Sequence, residues 1–147
     1  MTTVSASAAK QSPSGCAASA GYIAPRLLRA YRDTIYQANG TDIRIGRRSS
    51  NLPLERLGAR TAVLLTAWNP WSRRMPVGWN HRMQRALLLR LRRFRLVGAQ
   101  GSLGCWHEAM FLVAGDPRPL VRLAATFRQR AVVVLRRGDK ARVQLLG

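Results

Sequence analysis

The run Thr61-Ala62-Val63-Leu64-Leu65-Thr66-Ala67, closed by Trp68-Asn69-Pro70, constrains this chain more than any other stretch. It is apolar almost throughout, so it reads as a strand covered on both faces, central in its sheet; a strand with one wet face would alternate. Pro70 ends it, because proline offers no N–H to a ladder and is expected to push Asn69 into an extended shape. A chain built around such a strand must supply cover above and below it. With 147 residues and 47% hydrophobic content, there is enough material for one modest core.

The flanking segments supply that cover. Pro25 opens a short helix to about residue 33, and Asn39-Gly40 provides the positive φ angles of a hairpin turn between Ile35/Tyr36 and Ile43/Ile45. Leu52, Leu54 and Leu57 suggest a helical turn. Asn80 is expected to cap a helix whose inward stripe is Met83, Leu87, Leu91 and Phe94. "RLVGA" reads as a strand, Gly98, Gly101 and Gly104 as a loop, and "AMFLVAG" as a further strand. Asp116-Pro117 caps a second long helix, and "AVVVL" and "ARVQLL" close the chain as a hairpin. The expected fold is α+β: two layers, a mostly antiparallel or mixed sheet with two long helices on one face and a short N-terminal helix. Residues 1–22 are small and polar and read as a flexible tail, leaving 23–147 as a single α+β domain. No stretch is long and apolar enough for a membrane span, and no membrane partner is expected; the expected location is the cytoplasm.

Charge is the outlying property. There are 25 Lys plus Arg against 6 Asp plus Glu, a formal +19, and only Lys10 and Lys140 are lysine. No acid occurs between Glu55 and Glu108. Such a surface attracts polyanions, whether nucleic acid or acidic lipid headgroups. Arg73, Arg74, Arg82, Arg85, Arg92 and Arg93 are positioned to track a phosphate backbone, with Trp71 available to stack a base. The reading is of a non-catalytic domain that binds an anionic partner such as nucleic acid through an arginine-rich helix. Cys16 and Cys105 lack partners at metal-ligand spacing, and two histidines add little, so no metal and no cofactor are expected.

The alternative is an enzyme or small-ligand binder at the polar loop following the apolar strand, with Trp68, Asn69, Ser72, Asn80, Glu108 and Gln129 as candidate residues. Strand alternation puts Trp106 and Glu108 on one face and His107 on the other. Whether any reaction occurs is left open.

The ordered landmarks Tyr31, Thr34-x-Tyr36, Ile43, Ile45, Thr66-Ala67-Trp68-Asn69-Pro70-x-Ser72, Asn80, Trp106-x-Glu108 and Phe127-x-Gln129-x-x-Val132 resemble a bacterial family of small proteins known as domain-of-unknown-function family 3293. The resemblance spans about residues 24 to 146 and implies an α+β fold with Asn69, Ser72, Asn80, Glu108 and Gln129 gathered at one place. It implies no activity. Met110 stands where the resemblance would have a serine two residues beyond the glutamate.

Overall fold

The computed structural model describes residues 25–146. The expected tail at 1–22 lies outside them. Along the chain the elements are α1 (Pro25–Asp33), β1 (Ile35–Ala38), β2 (Thr41–Ile43), α2 (Leu52–Leu57), β3 (Thr61–Leu65), α3 (Val77–Arg90), β4 (Leu96–Leu103), β5 (Trp106–Ala114), α4 (Pro117–Thr126), β6 (Ala131–Arg136) and β7 (Arg142–Leu145), with a short 3-10 turn at Pro70–Ser72.

The seven strands form one sheet in the order β2-β1-β4-β5-β3-β6-β7, every pairing antiparallel. β3 lies between β5 and β6, and Ala62 to Leu65 are buried on both sides of the sheet. The two-layer expectation is corrected, however. The sheet curls until its two ends meet: Ile45 beyond β2 bridges Ala141 before β7, the Gly46 N–H donates to the Ala141 carbonyl at 2.8 Å, and the Ala141 N–H donates to Arg47 at 3.1 Å. Among the described residues four short helices accompany it, the longest 14 and 10 residues, in place of two long helices on one face of a two-layer fold. The physical reason is that a strongly twisted sheet of this width buries more apolar surface by curling than by lying flat.

Curling creates two cores. Ala62 and Leu64 of β3 face the concave interior with Tyr36, Ile43, Met110, Leu112 and Val133, beneath Leu54 and Leu57 of α2. Val63 and Leu65 face outward, covered by Leu87 and Leu91 at the α3 side and Leu120 and Ala124 of α4. An unbroken aliphatic strand is what such double cover requires.

Local details refine other expectations. The Asn39-Gly40 turn has positive φ at both residues, 50° and 69°, as a two-residue hairpin needs. The loop expected from Gly98 to Gly104 is instead mostly strand, and the chain turns only at Gly104-Cys105. Gly101 serves there for want of room: a Cβ would stand 3.3 Å from the Met110 sulfur and 3.4 Å from Thr34 and Tyr36, both fully buried. α3 begins at Val77 after Pro76, so Asn80 is inside its first turn and does not cap it. The side chain of Asp116 caps α4, accepting from the Arg118 N–H at 2.9 Å. No helix among the described residues is long and apolar enough to cross a membrane.

Candidate functional site

The segment that leaves β3 is built by short polar side chains. Thr66 Oγ1 donates to the Ala109 carbonyl at 2.7 Å, continuing the β3–β5 pairing where the ladder has stopped, and accepts from the Trp68 N–H at 3.1 Å. Gln84 of α3 reaches in from the helix: its Oε1 accepts from the Ala67 N–H at 2.9 Å and its Nε2 donates to the Ala109 carbonyl at 3.2 Å. One residue thus joins the end of β3, β5 and α3.

Asn69 and Asn80 form a second clasp. The Asn80 Nδ2 donates to Asn69 Oδ1 at 3.0 Å, the Asn69 N–H donates to Asn80 Oδ1 at 3.0 Å, and Asn69 Oδ1 also accepts from the Met75 N–H at 2.9 Å. Held this way, Asn69 takes a left-handed φ of 49°, not the extended shape expected before proline; asparagine tolerates this conformation better than most residues. Trp71 and Ser72 follow at φ 56° and 58°, and Arg128 opposite has φ 59°. The Trp71 N–H donates to the Arg128 carbonyl at 2.7 Å, and Gln129 Nε2 donates to the Trp68 carbonyl at 3.0 Å. Four non-glycine residues in a costly backbone region therefore face one another, fixed by hydrogen bonds.

The concave interior of the sheet opens beneath this loop. A cavity there is lined by Tyr31, Tyr36, Thr66, Asn69, Ser72, Arg74, Trp106, Glu108 and Gln129, with Leu64, Met110 and Val133 as its apolar floor. Its enclosed volume is about 30 Å³, room for water-sized groups. Glu108 is 5% exposed, on the same β5 face as Trp106, Met110 and Leu112, while His107 points outward. The Tyr31 hydroxyl lies 3.3 Å from Ser72 Oγ. Burial of its phenol pushes Tyr31 up to about 12, with the Glu108 charge adding to the rise and the Ser72 hydrogen bond opposing it. Tyr36 is raised further, again chiefly by burial and then by Tyr31 and Glu108. Both phenols stay protonated at neutral pH, and the Tyr36 hydroxyl donates to the Tyr31 carbonyl at 3.5 Å.

Of the sequence-derived candidates, Asn69, Ser72, Glu108 and Gln129 come together around this cavity. Asn80 and Trp68 do not line it. They lie on a neighbouring hollow of about 270 Å³ with Met75, Cys105 and His107, which shares Asn69, Arg74 and Trp106 with the inner cavity. The Trp68 ring is tilted against His81, centroids 5.6 Å apart, and its buried Nε1 has no hydrogen-bond partner among the described residues. Trp71 is 46% exposed but tied elsewhere: its carbonyl accepts from Arg130 Nε at 3.1 Å, and that guanidinium stands 5.8 Å over its ring. Arg73, Arg74, Arg82, Arg85, Arg92 and Arg93 are all exposed. Arg74 borders the inner cavity, and Arg82 and Arg85 belong to the solvent-exposed side of α3. Among the described residues no group of three His, Cys, Asp or Glu is placed to hold a metal ion.

Sequence reasoning had Tyr36 and Thr66 as landmarks of the resemblance but not as site residues, and passed over Gln84. A signal for Gln84 was available: it occurs four residues after Asn80 and three before Leu87, a polar residue within the inward stripe of a helix.

Residues 65–132 match the family described as Protein of unknown function (DUF3293). The match takes in the strained loop, α3, Glu108 and Gln129, and leaves out α1, β1 and β2, whose landmarks the sequence resemblance had included. No curated protein and no solved structure matches the chain.

Proposed function

We propose that residues 23–147 act as one binding domain whose ligand inserts a small polar group into the mouth of the curled sheet. The observation that carries this reading is Glu108, a carboxylate kept almost wholly from solvent on a strand face otherwise given to Trp106, Met110 and Leu112. Withdrawing a carboxylate from water is costly even when it has a partner, and a leucine there would simply extend the inner core. Around it, side chains from separate elements (Tyr31 of α1, Ser72 of the strained turn, Gln129 ahead of β6) bring donors and acceptors to one volume. Strained backbone at the rim adds support, since such conformations persist where position matters more than stability. The enclosed space suits the end of a ligand, an ammonium or hydroxyl that donates to Glu108, with the remainder lying toward Arg74 and the outer hollow.

Titration of the whole chain with a panel of small amines, polyols and carboxylates, followed by Trp106-sensitive fluorescence and thermal shift, tests the reading. A ligand from the panel should raise the melting temperature and lose about tenfold or more in affinity in Glu108→Gln. Equal binding by wild type, Glu108→Gln and Ser72→Ala places the ligand elsewhere and defeats the proposal.

A second reading concerns the outer side of α3 and the turn that follows it. Arg82, Arg85, Arg92 and Arg93 are exposed within a segment free of acids from residue 56 to 107, which supports binding of a polyanion, nucleic acid among the candidates. Its mark is an affinity for mixed RNA or DNA that falls steeply with salt, by about 0.9 in log affinity per duplex phosphate contacted per tenfold salt.

A further inference from the structure

The arginines of α3 are accompanied by something that phosphate binding does not call for. Six large hydrophobic residues are exposed among the described residues, and three of them, Val77, Leu88 and Leu89, belong to this one helix. Leu89 is 71% exposed. The inward stripe is Asn80, Gln84, Leu87 and, just past the helix, Leu91, all buried. At 100° per residue Leu89 therefore sits on the opposite crest, between Arg82 on one side and Arg85 on the other, with the exposed Arg92 and Arg93 in the turn that follows the helix. Leu88 and Val77 lie along one flank of the same outer surface.

We infer that this face of α3 docks on an anionic lipid bilayer, the arginines meeting headgroup phosphates while Leu89 and Leu88 enter the boundary with the acyl chains. The inference rests on the second reading above and names its partner. Charge complementarity selects the occupant. A second copy is repelled by the formal +19, and a nucleic-acid backbone would satisfy the guanidinium groups but leave the leucines in water. An acidic membrane surface takes both, since basic side chains flanking inserted leucines are what interfacial helices present. A contact of this kind stays at the bilayer interface, so the lack of a spanning helix among the described residues does not bear on it.

Co-sedimentation of the whole chain with vesicles of phosphatidylcholine alone, or mixed with phosphatidylserine, provides the test, with mixed-sequence RNA as competitor. Binding is expected to the mixed vesicles only, to weaken with salt, and to fall about tenfold or more in the Leu88→Ser/Leu89→Ser double variant; these exposed positions leave the fold intact, which circular dichroism verifies. If the leucine variant binds as well as wild type while Arg92→Gln/Arg93→Gln does not, or if RNA displaces the vesicles completely, the surface is a polyanion site and the lipid inference is overturned. Failure to bind either vesicles or RNA at low salt removes the second reading together with it.

Discussion

The two sides of α3 differ in kind. Inward, Asn80 and Gln84 spend their hydrogen-bonding capacity on the chain leaving β3, and together with Thr66 they hold a strained turn over the mouth of the sheet. Outward, Arg82 and Arg85 stand in solvent beside an exposed leucine. One side is rigidified from within; the other is held by nothing but the helix that carries it. The comparison teaches that the abundant residue type and the organising residue type need not coincide: arginine dominates the composition, yet amides and hydroxyls arrange the site.

The largest expected contrast between the regions comes from pH. Folding raises both Tyr31 and Tyr36 above their ordinary value of 10, by burial first. For a group raised in the folded state, the stabilising contribution is complete below the unfolded value and is lost as pH rises toward the folded one. Stability should therefore hold up to about pH 10 and decline through about pH 12, by upwards of about 2 kcal/mol for Tyr31 alone. Urea midpoints measured across this range should fall for wild type and fall less for Tyr31→Phe. A flat profile would mean the phenols are hydrated and the mouth is not enclosed.

Next in size is a pair of neighbours on the same helix. Gln84→Leu fits the inward stripe by shape but strips a partner from the buried Ala67 N–H and from Ala109, costing about 2–4 kcal/mol by denaturant unfolding. Arg85→Ala, one residue later on the solvent side, should move stability by no more than about 0.5 kcal/mol. Equal costs at the two positions would erase the distinction between the faces.

These residues also show which parts of the fold could be read in advance. β3 was legible because double cover leaves an aliphatic run, and the β1–β2 hairpin because Asn39-Gly40 admits one turn type. Asn69 and Ser72 of the inner cavity were legible as polar positions beyond an apolar strand's end, while Glu108 and Gln129 joined them through the family resemblance. Curling was not legible: it depends on Ile45 and Ala141, ninety-six positions apart, meeting at the ends of the sheet, and no local pattern encodes that encounter. Nor was the role of Gly98 and Gly101, which read locally as loop residues but lie in β4, where Gly101 makes way for Thr34 and Tyr36. Asn80 was noticed for the wrong reason. A polar residue near a helix start suggests a cap, whereas here the helix begins three residues earlier and the side chain turns inward to Asn69.

The smallest effect divides the cost of the strained turn into its parts. Asn69 supplies two things: a backbone that tolerates φ 49° and an amide that holds Met75 and Asn80. Asn69→Gly keeps the first and removes the second, so its loss of about 1–2 kcal/mol reports the clasp. Asn69→Ala removes both, and the further loss of about 1 kcal/mol reports the left-handed backbone alone. Thermal unfolding of the two variants, compared with each other and not only with wild type, isolates that difference. If alanine proves as stable as glycine, the turn relaxes without cost when its clasp is gone; the conformation is then a consequence of the Asn69–Asn80 pair, not strain stored at the mouth, and the support that backbone strain gives to a ligand site there disappears.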